Sequence, residues 1–79
     1  MLFPNPTTGS SVLSLNVSVD QLVSITVLDA NGRITQLKQV MMRRGYNKQL
    51  IDLSLMTNGT YEVQIKSVDW NKVFKLIKN

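Results

Sequence analysis

The side chains able to move protons are few and scattered. The carboxylates are Asp20, Asp29, Asp52, Glu62 and Asp69, and the 79 residues contain neither histidine nor cysteine. Histidine is the commonest general base and the commonest transition-metal ligand, so its absence removes two routes to chemistry together. All the carboxylates but Glu62 fall in segments that read as turns, where aspartate serves nearby backbone N–H groups. Nothing in their spacing brings two into one cleft, as an acid–base pair requires. The serines and threonines have no evident base and no Gly-x-Ser-x-Gly elbow. Asp20, Asp29 and Asp69 lack the dense Asp/Asn loop of calcium motifs. The chain reads as non-catalytic, with no cofactor and no metal.

Cations outnumber anions, for a net charge of +4. Lys72, Lys75 and Lys78 punctuate the last segment and Arg43-Arg44 sits in a loop. With Tyr46, Trp70 and Phe74 they have the residue types of a nucleic-acid surface. In a strand, however, residues three apart face opposite ways, so Lys75 opposes Lys72 and Lys78 and no continuous stripe forms. Lysines on a terminal strand discourage edge-to-edge pairing, and a small excess of charge serves solubility. No nucleic-acid partner is expected.

With 43% hydrophobic and 18% charged residues, the composition is that of a folded chain of one small domain. No disulfide can staple it, so packing must hold it. No apolar run approaches the roughly 18 residues that cross a bilayer. No leader peptide is evident, so any export leader would belong to a longer parent chain.

The elements that must position these residues are strands. Leu13, Leu15 and Val17 alternate with polar residues, as do Val23, Ile25 and Val27, which is the period of a half-buried strand. The link Val19-Asp20-Gln21 is too short for a crossover helix. It leaves the two strands either neighbours in one sheet or divided between two. Asp29-Ala30-Asn31-Gly32 signals a hairpin, with Asn31 near the left-handed region and Gly32 closing the turn. A third strand over about 33–41 should pair back on the second. Gly45 supplies a flexible turn before a short strand from about Tyr46 to Asp52, whose carboxylate is placed to take the N–H of Ser54 or Leu55 and nucleate a 3₁₀-like turn. Asn58-Gly59 leads into Tyr61, Val63 and Ile65, and a turn at 68–71 precedes the strand 72–78. Six or seven short strands without a helix predict an all-β, immunoglobulin-like antiparallel sandwich.

Two segments add detail. Tyr61, just after a loop and two residues past Gly59, suits a tyrosine corner, in which the phenol returns to upstream backbone while its ring fills the core edge. The opening Phe3-Pro4-Asn5-Pro6-Thr7-Thr8-Gly9 is stiff and turn-forming, since Pro4 and Pro6 drive Phe3 and Asn5 out of the helical region and Gly9 can take positive φ. Residues 1–9 therefore read as a lead-in to a domain over 10–79.

Taken together, the opening segment, Val27 to Arg33, Gly45-Tyr46-Asn47, Asp52-Leu53-Ser54-Leu55 to Gly59-Thr60-Tyr61, and Lys75-Leu76-Ile77-Lys78 resemble the C-terminal sorting domain of the bacterial type IX secretion system, type A, over essentially the whole chain. The resemblance implies an immunoglobulin-like sandwich at the end of a secreted Bacteroidota protein. Such a domain passes through the periplasm on its way to the outer-membrane surface or the medium. Its partners would be the outer-membrane translocon, a surface sortase that removes it just before the opening segment, and an upstream cargo domain in the same chain. Pro4, Pro6, Gly9, Asp29, Gly32, Gly45, Asp52, Gly59 and Tyr61 would be structural turn and corner residues. Lys72, Phe74, Lys75, Leu76, Ile77 and Lys78 are the candidates for translocon contact, through strand addition at an exposed edge. The same edge would allow a homodimer of the isolated domain. Replacing Lys75 and Lys78 by glutamate is expected to cut export and leave thermal stability nearly unchanged. Asp69-Trp70-Asn71 departs from the plainer turn usual there, leaving Trp70 as either an exposed contact or a loop cap. The other reading of such a module is an accessory domain binding carbohydrate or protein, with Trp70 and Tyr46 as its platform.

Overall fold

A computed structural model describes residues 1–79 as seven strands in two antiparallel sheets, with no helix. The strands are β1 (Leu2–Phe3), β2 (Ser10–Val17), β3 (Gln21–Leu28), β4 (Ile34–Met42), β5 (Gly45–Asp52), β6 (Gly59–Lys66) and β7 (Asn71–Lys78). One sheet has the order β1-β2-β5 and the other β4-β3-β6-β7. This is the expected sandwich, and it settles the fate of the short link after β2: the chain crosses there from one sheet to the other. It crosses again at 43–44 and at 53–58.

The alternating residues make the interface between the sheets. Leu13, Leu15 and Val17 of β2 face Val23, Ile25 and Val27 of β3 and Tyr61, Val63 and Ile65 of β6 across a core of 14 buried apolar side chains. The period of two places every second side chain inward, and a one-residue slip would expose the whole set. Truncating a buried leucine or isoleucine here to alanine should cost about 2–5 kcal/mol.

Two turn expectations need correction. Within Asp29–Gly32 no residue but glycine has positive φ; Gly32 takes it at 81°, so Asn31 is not left-handed. The turn is closed by the Gly32 N–H to the Asp29 carbonyl at 3.0 Å. A bulge follows, where the register shifts between Val27 and Leu28. Gly9, expected to use positive φ, does not; only Gly32, Gly45 and Gly59 do. The Gly9 region is shaped instead by Thr7, whose Oγ1 accepts the Gly9 N–H at 3.1 Å and donates to the Ser10 carbonyl at 2.8 Å.

The fourth strand is placed differently from that of a constant-type immunoglobulin domain, where it lies beside the fifth. Here β4 pairs with β3 alone and ends its sheet. Its side chains reach over to the other sheet, Gln36 Nε2 donating to the Asp52 carbonyl at 2.6 Å and Lys38 Nζ to the Leu50 carbonyl at 3.2 Å.

Candidate functional site

The opening segment is woven into the sandwich. Leu2 pairs with Leu13 and is buried in the core, while Phe3 pairs with Val12. The Phe3–Pro4 and Asn5–Pro6 bonds are cis. Ser11, fully buried, donates its hydroxyl to the Pro4 carbonyl. Asn5 then meets the last strand: its Nδ2 donates to the Lys75 carbonyl at 2.6 Å and its Oδ1 accepts the Ile77 N–H at 3.1 Å. Thr7 continues the contact as a parallel bridge to Lys78. Its N–H donates to the Ile77 carbonyl at 2.8 Å, and its carbonyl accepts the Asn79 N–H at 2.9 Å. The chain's two ends thus form one structure, closing the outer edge of β7 over its last residues.

The loop between β5 and β6 joins them. Leu53, fully buried, donates its N–H to the Gly9 carbonyl at 2.8 Å. Asp52 Oδ1 accepts the Ser54 N–H at 2.9 Å, as its position suggested, and the Ser10 hydroxyl at 3.3 Å. The single turn is closed by the Met56 N–H to the Leu53 carbonyl at 2.9 Å. Tyr61, buried at the start of β6, donates its phenol to the Thr57 carbonyl at 2.5 Å and makes the tyrosine corner. Beside the corner stands the Asp29 hairpin, with two shallow depressions of about 330 and 190 Å³ between them.

The six candidates on β7 divide by face. Leu76 is fully buried, Phe74 packs on the core, and Lys78 is buried too. Lys78 Nζ donates to the carbonyls of Met56 at 2.5 Å and Ser54 at 3.4 Å, so it caps the loop that carries the corner. Lys72 and Lys75 are exposed. Ile77 is half-buried with its main chain held by Asn5 and Thr7. The expectation that Lys75 and Lys78 can be replaced together at no cost in stability does not survive this geometry. Glutamate at Lys78 would face two carbonyls with no proton to give.

Three carboxylates are held in loops by backbone N–H groups, which favour the ionised form. The Arg44 N–H, first, and then the Arg43 side chain lower the pKa of Asp20. The N–H of Arg33, joined by that of Asn31 and the Arg33 guanidinium, lowers that of Asp29. Ser54, through its side chain and its N–H, lowers that of Asp52, with Ser10 and the charge of Lys78 adding to the effect. Asp20 precedes β3 and Asp29 follows it, so the two stand at opposite ends of the strand and do not gather around one cation. Trp70 proves to be a loop cap: half-buried against the core, it donates Nε1–H to Gln21 Oε1 at 2.8 Å, and the Ser67 hydroxyl donates to the same oxygen at 2.6 Å. Gly45 and the exposed Tyr46 lie at the far end, across from Val17 and Asn16.

Asn5, Thr7, Ser11 and Gln21 are the residues that sequence reasoning passed over as contacts. Ser11 carries a weak signal, being a small polar residue in phase with the buried Leu13, Leu15 and Val17 of its strand. Nothing in the sequence marks Asn5 as the partner of a strand near the opposite end.

A family model described as a secretion system C-terminal sorting domain matches residues 1–79. No curated protein and no solved structure matches.

Proposed function

The chain belongs to the secretion system C-terminal sorting domain family, and from that membership we propose that it directs an upstream cargo through the type IX outer-membrane translocon, after which a surface sortase removes it. The membership itself makes it a type IX sorting signal, bound for the outer membrane or beyond. On this reading residues 1–9 are the border with the cargo and residues 10–79 the address. The translocon contacts the outward face of β7 around Lys75. Turn and corner residues hold that face in place.

The observation that supports the reading is the lacing of Asn5 and Thr7 to Lys75, Ile77 and Asn79. It joins the border to the final strand, so a translocon that touches the last strand is also next to the segment where the cargo departs. A folded periplasmic reporter fused ahead of residues 1–79 should reach the cell surface of a type IX-competent host, and the reporter alone should stay inside. Lys75→Glu, at an exposed position, should lower export while the melting temperature stays within a few degrees. Equal retention of a folded reporter with and without the domain would overturn the assignment. Full export of the Lys75 variant would remove the β7 face from it.

A further inference from the structure

Four strands end the two sheets, and three of them are short or covered. β1 has two residues. β5 gives its Leu50 and Asp52 carbonyls to Lys38 and Gln36. β7 is covered over Lys75 to Asn79 by Asn5 and Thr7. β4 is different: it runs nine residues, and no hydrogen bond other than its ladder with β3 reaches the main chain of Ile34–Met42. Its outward row carries three apolar side chains, Ile34, Leu37 and Met41, with the polar Gln39 between the last two. Ile34, Leu37 and Met41 are 60%, 64% and 54% exposed, opposite Leu28, Thr26 and Leu22 on β3. Edge strands left open are usually guarded by charge, a proline, a bulge or brevity. On β4 the guards are the bulge at Thr35 and the inward Lys38, while its outward row carries no charge.

Charge decides what fits there. Arg33, Lys38, Arg43 and Arg44 lie on and beside the strand, and no carboxylate occurs between Arg33 and Arg44. A second copy added antiparallel about a two-fold axis at mid-strand would set Lys38 near its own counterpart, and like charges across a strand pair repel. Asp29 pairs with Arg33 and Asp20 with Arg43, which leaves Lys38 and Arg44 as the cations without a carboxylate partner, and an added strand with acidic residues opposite these two would meet opposite charge. The pairing would lay side chains beside Ile34, Leu37 and Met41 and satisfy the open main chain.

We infer that the free edge of β4 accepts, by main-chain pairing, an extended strand of a type IX secretion component with alternating apolar residues and with acidic residues placed opposite Lys38 and Arg44. The inference rests on the sorting reading and adds a contact separate from the β7 face.

The test uses the reporter fused ahead of the domain and two substitutions of one exposed residue. Leu37→Glu and Leu37→Lys remove the same apolar side chain, and both should keep the melting temperature within a few degrees. Export should fall at least tenfold for Leu37→Glu and stay at half the wild-type level or above for Leu37→Lys. The second measurement is hydrogen exchange on the domain, free and bound to the detergent-solubilised outer-membrane complex of a secreting strain. Amides of 34–42 should slow at least tenfold on binding. Equal export of both variants, or unchanged exchange of 34–42 in a complex that protects other residues, overturns the β4 inference while the exported wild type leaves the sorting reading standing. A dimer by sedimentation that Leu37→Glu dissociates would overturn it in favour of a second copy. Failure of the wild-type fusion to export brings down both readings.

Discussion

Asn5 and Ile77, 72 positions apart in sequence, share a hydrogen bond in which the Ile77 N–H donates to the Asn5 side-chain oxygen, while the other end of the same amide donates to the Lys75 carbonyl. One side chain thus stands in for a strand neighbour and blunts an edge that would otherwise be open. Asn5→Ala removes both bonds at an exposed site, and the expected loss is about 1–2 kcal/mol. Urea unfolding gives that number, and amide exchange gives the location. Ile77 should exchange faster while Val63, in the core of β6, keeps its protection until global unfolding. Unchanged exchange at Ile77 would mean that the lacing contributes nothing.

Glycine substitutions should separate by backbone conformation rather than by position in the family pattern. Gly32 and Gly45 have φ of 81° and 106°, where an L side chain is strained, though each has open space for a Cβ. Gly32→Ala and Gly45→Ala should each cost about 1–2 kcal/mol. Gly9→Ala should be nearly neutral, since φ there is ordinary and the new Cβ would sit 4.0 Å from the Ser54 Cβ, an ordinary contact. Thermal melts of the three variants decide it, and a Gly9 variant as unstable as the other two would contradict the account.

The corner and the buried lysine should behave as supports of one loop. Tyr61→Phe leaves the Thr57 carbonyl without its donor and should cost about 1–2 kcal/mol. Lys78→Ala strips the Met56 and Ser54 carbonyls of theirs and should cost about 1–3 kcal/mol. Lys75→Ala, on the exposed face, should stay within about 0.5 kcal/mol of wild type. Denaturant midpoints provide the comparison. Equal effects at Lys75 and Lys78 would show that the inward ammonium does not hold the loop.

Acid should weaken the domain in a defined window. Asp20, Asp29 and Asp52 have pKa values lowered in the folded state by their backbone and side-chain donors. Their stabilisation is therefore complete above the unfolded value of about 3.9 and is lost as pH falls through the lower folded values. The melting temperature should be level with respect to these groups from neutral pH to about pH 5 and drop below about pH 4. Asp29→Asn should shrink that drop. A flat profile down to pH 3 would show that the loop carboxylates do not couple to folding.

Much of the fold was legible because a sandwich strand shows its buried face in the sequence. Leu13, Leu15 and Val17, or Tyr61, Val63 and Ile65, fix both the element and its inward side. The Asp52 turn and the Tyr61 corner were legible too, since each depends on a partner within a few residues. Contacts between distant segments were not. Alternation says that Val17 and Val23 face a core but not that the chain changes sheets between them. It gives Lys78 a face but not the carbonyls that face it. Gly9 and Asn31 misled because a residue that tolerates positive φ need not use it. The outward Ile34, Leu37 and Met41 give a local sign, apolar residues on the solvent side of a strand, but their meaning depends on β4 being an edge, and that is a property of the whole topology.

The most direct measurement is the distribution of the reporter fused ahead of residues 1–79 between cell surface and periplasm, in a type IX-competent host and in the same strain lacking the outer-membrane translocon. The account predicts reporter at the surface of the first and folded reporter trapped in the periplasm of the second. The same distribution in both strains would contradict it.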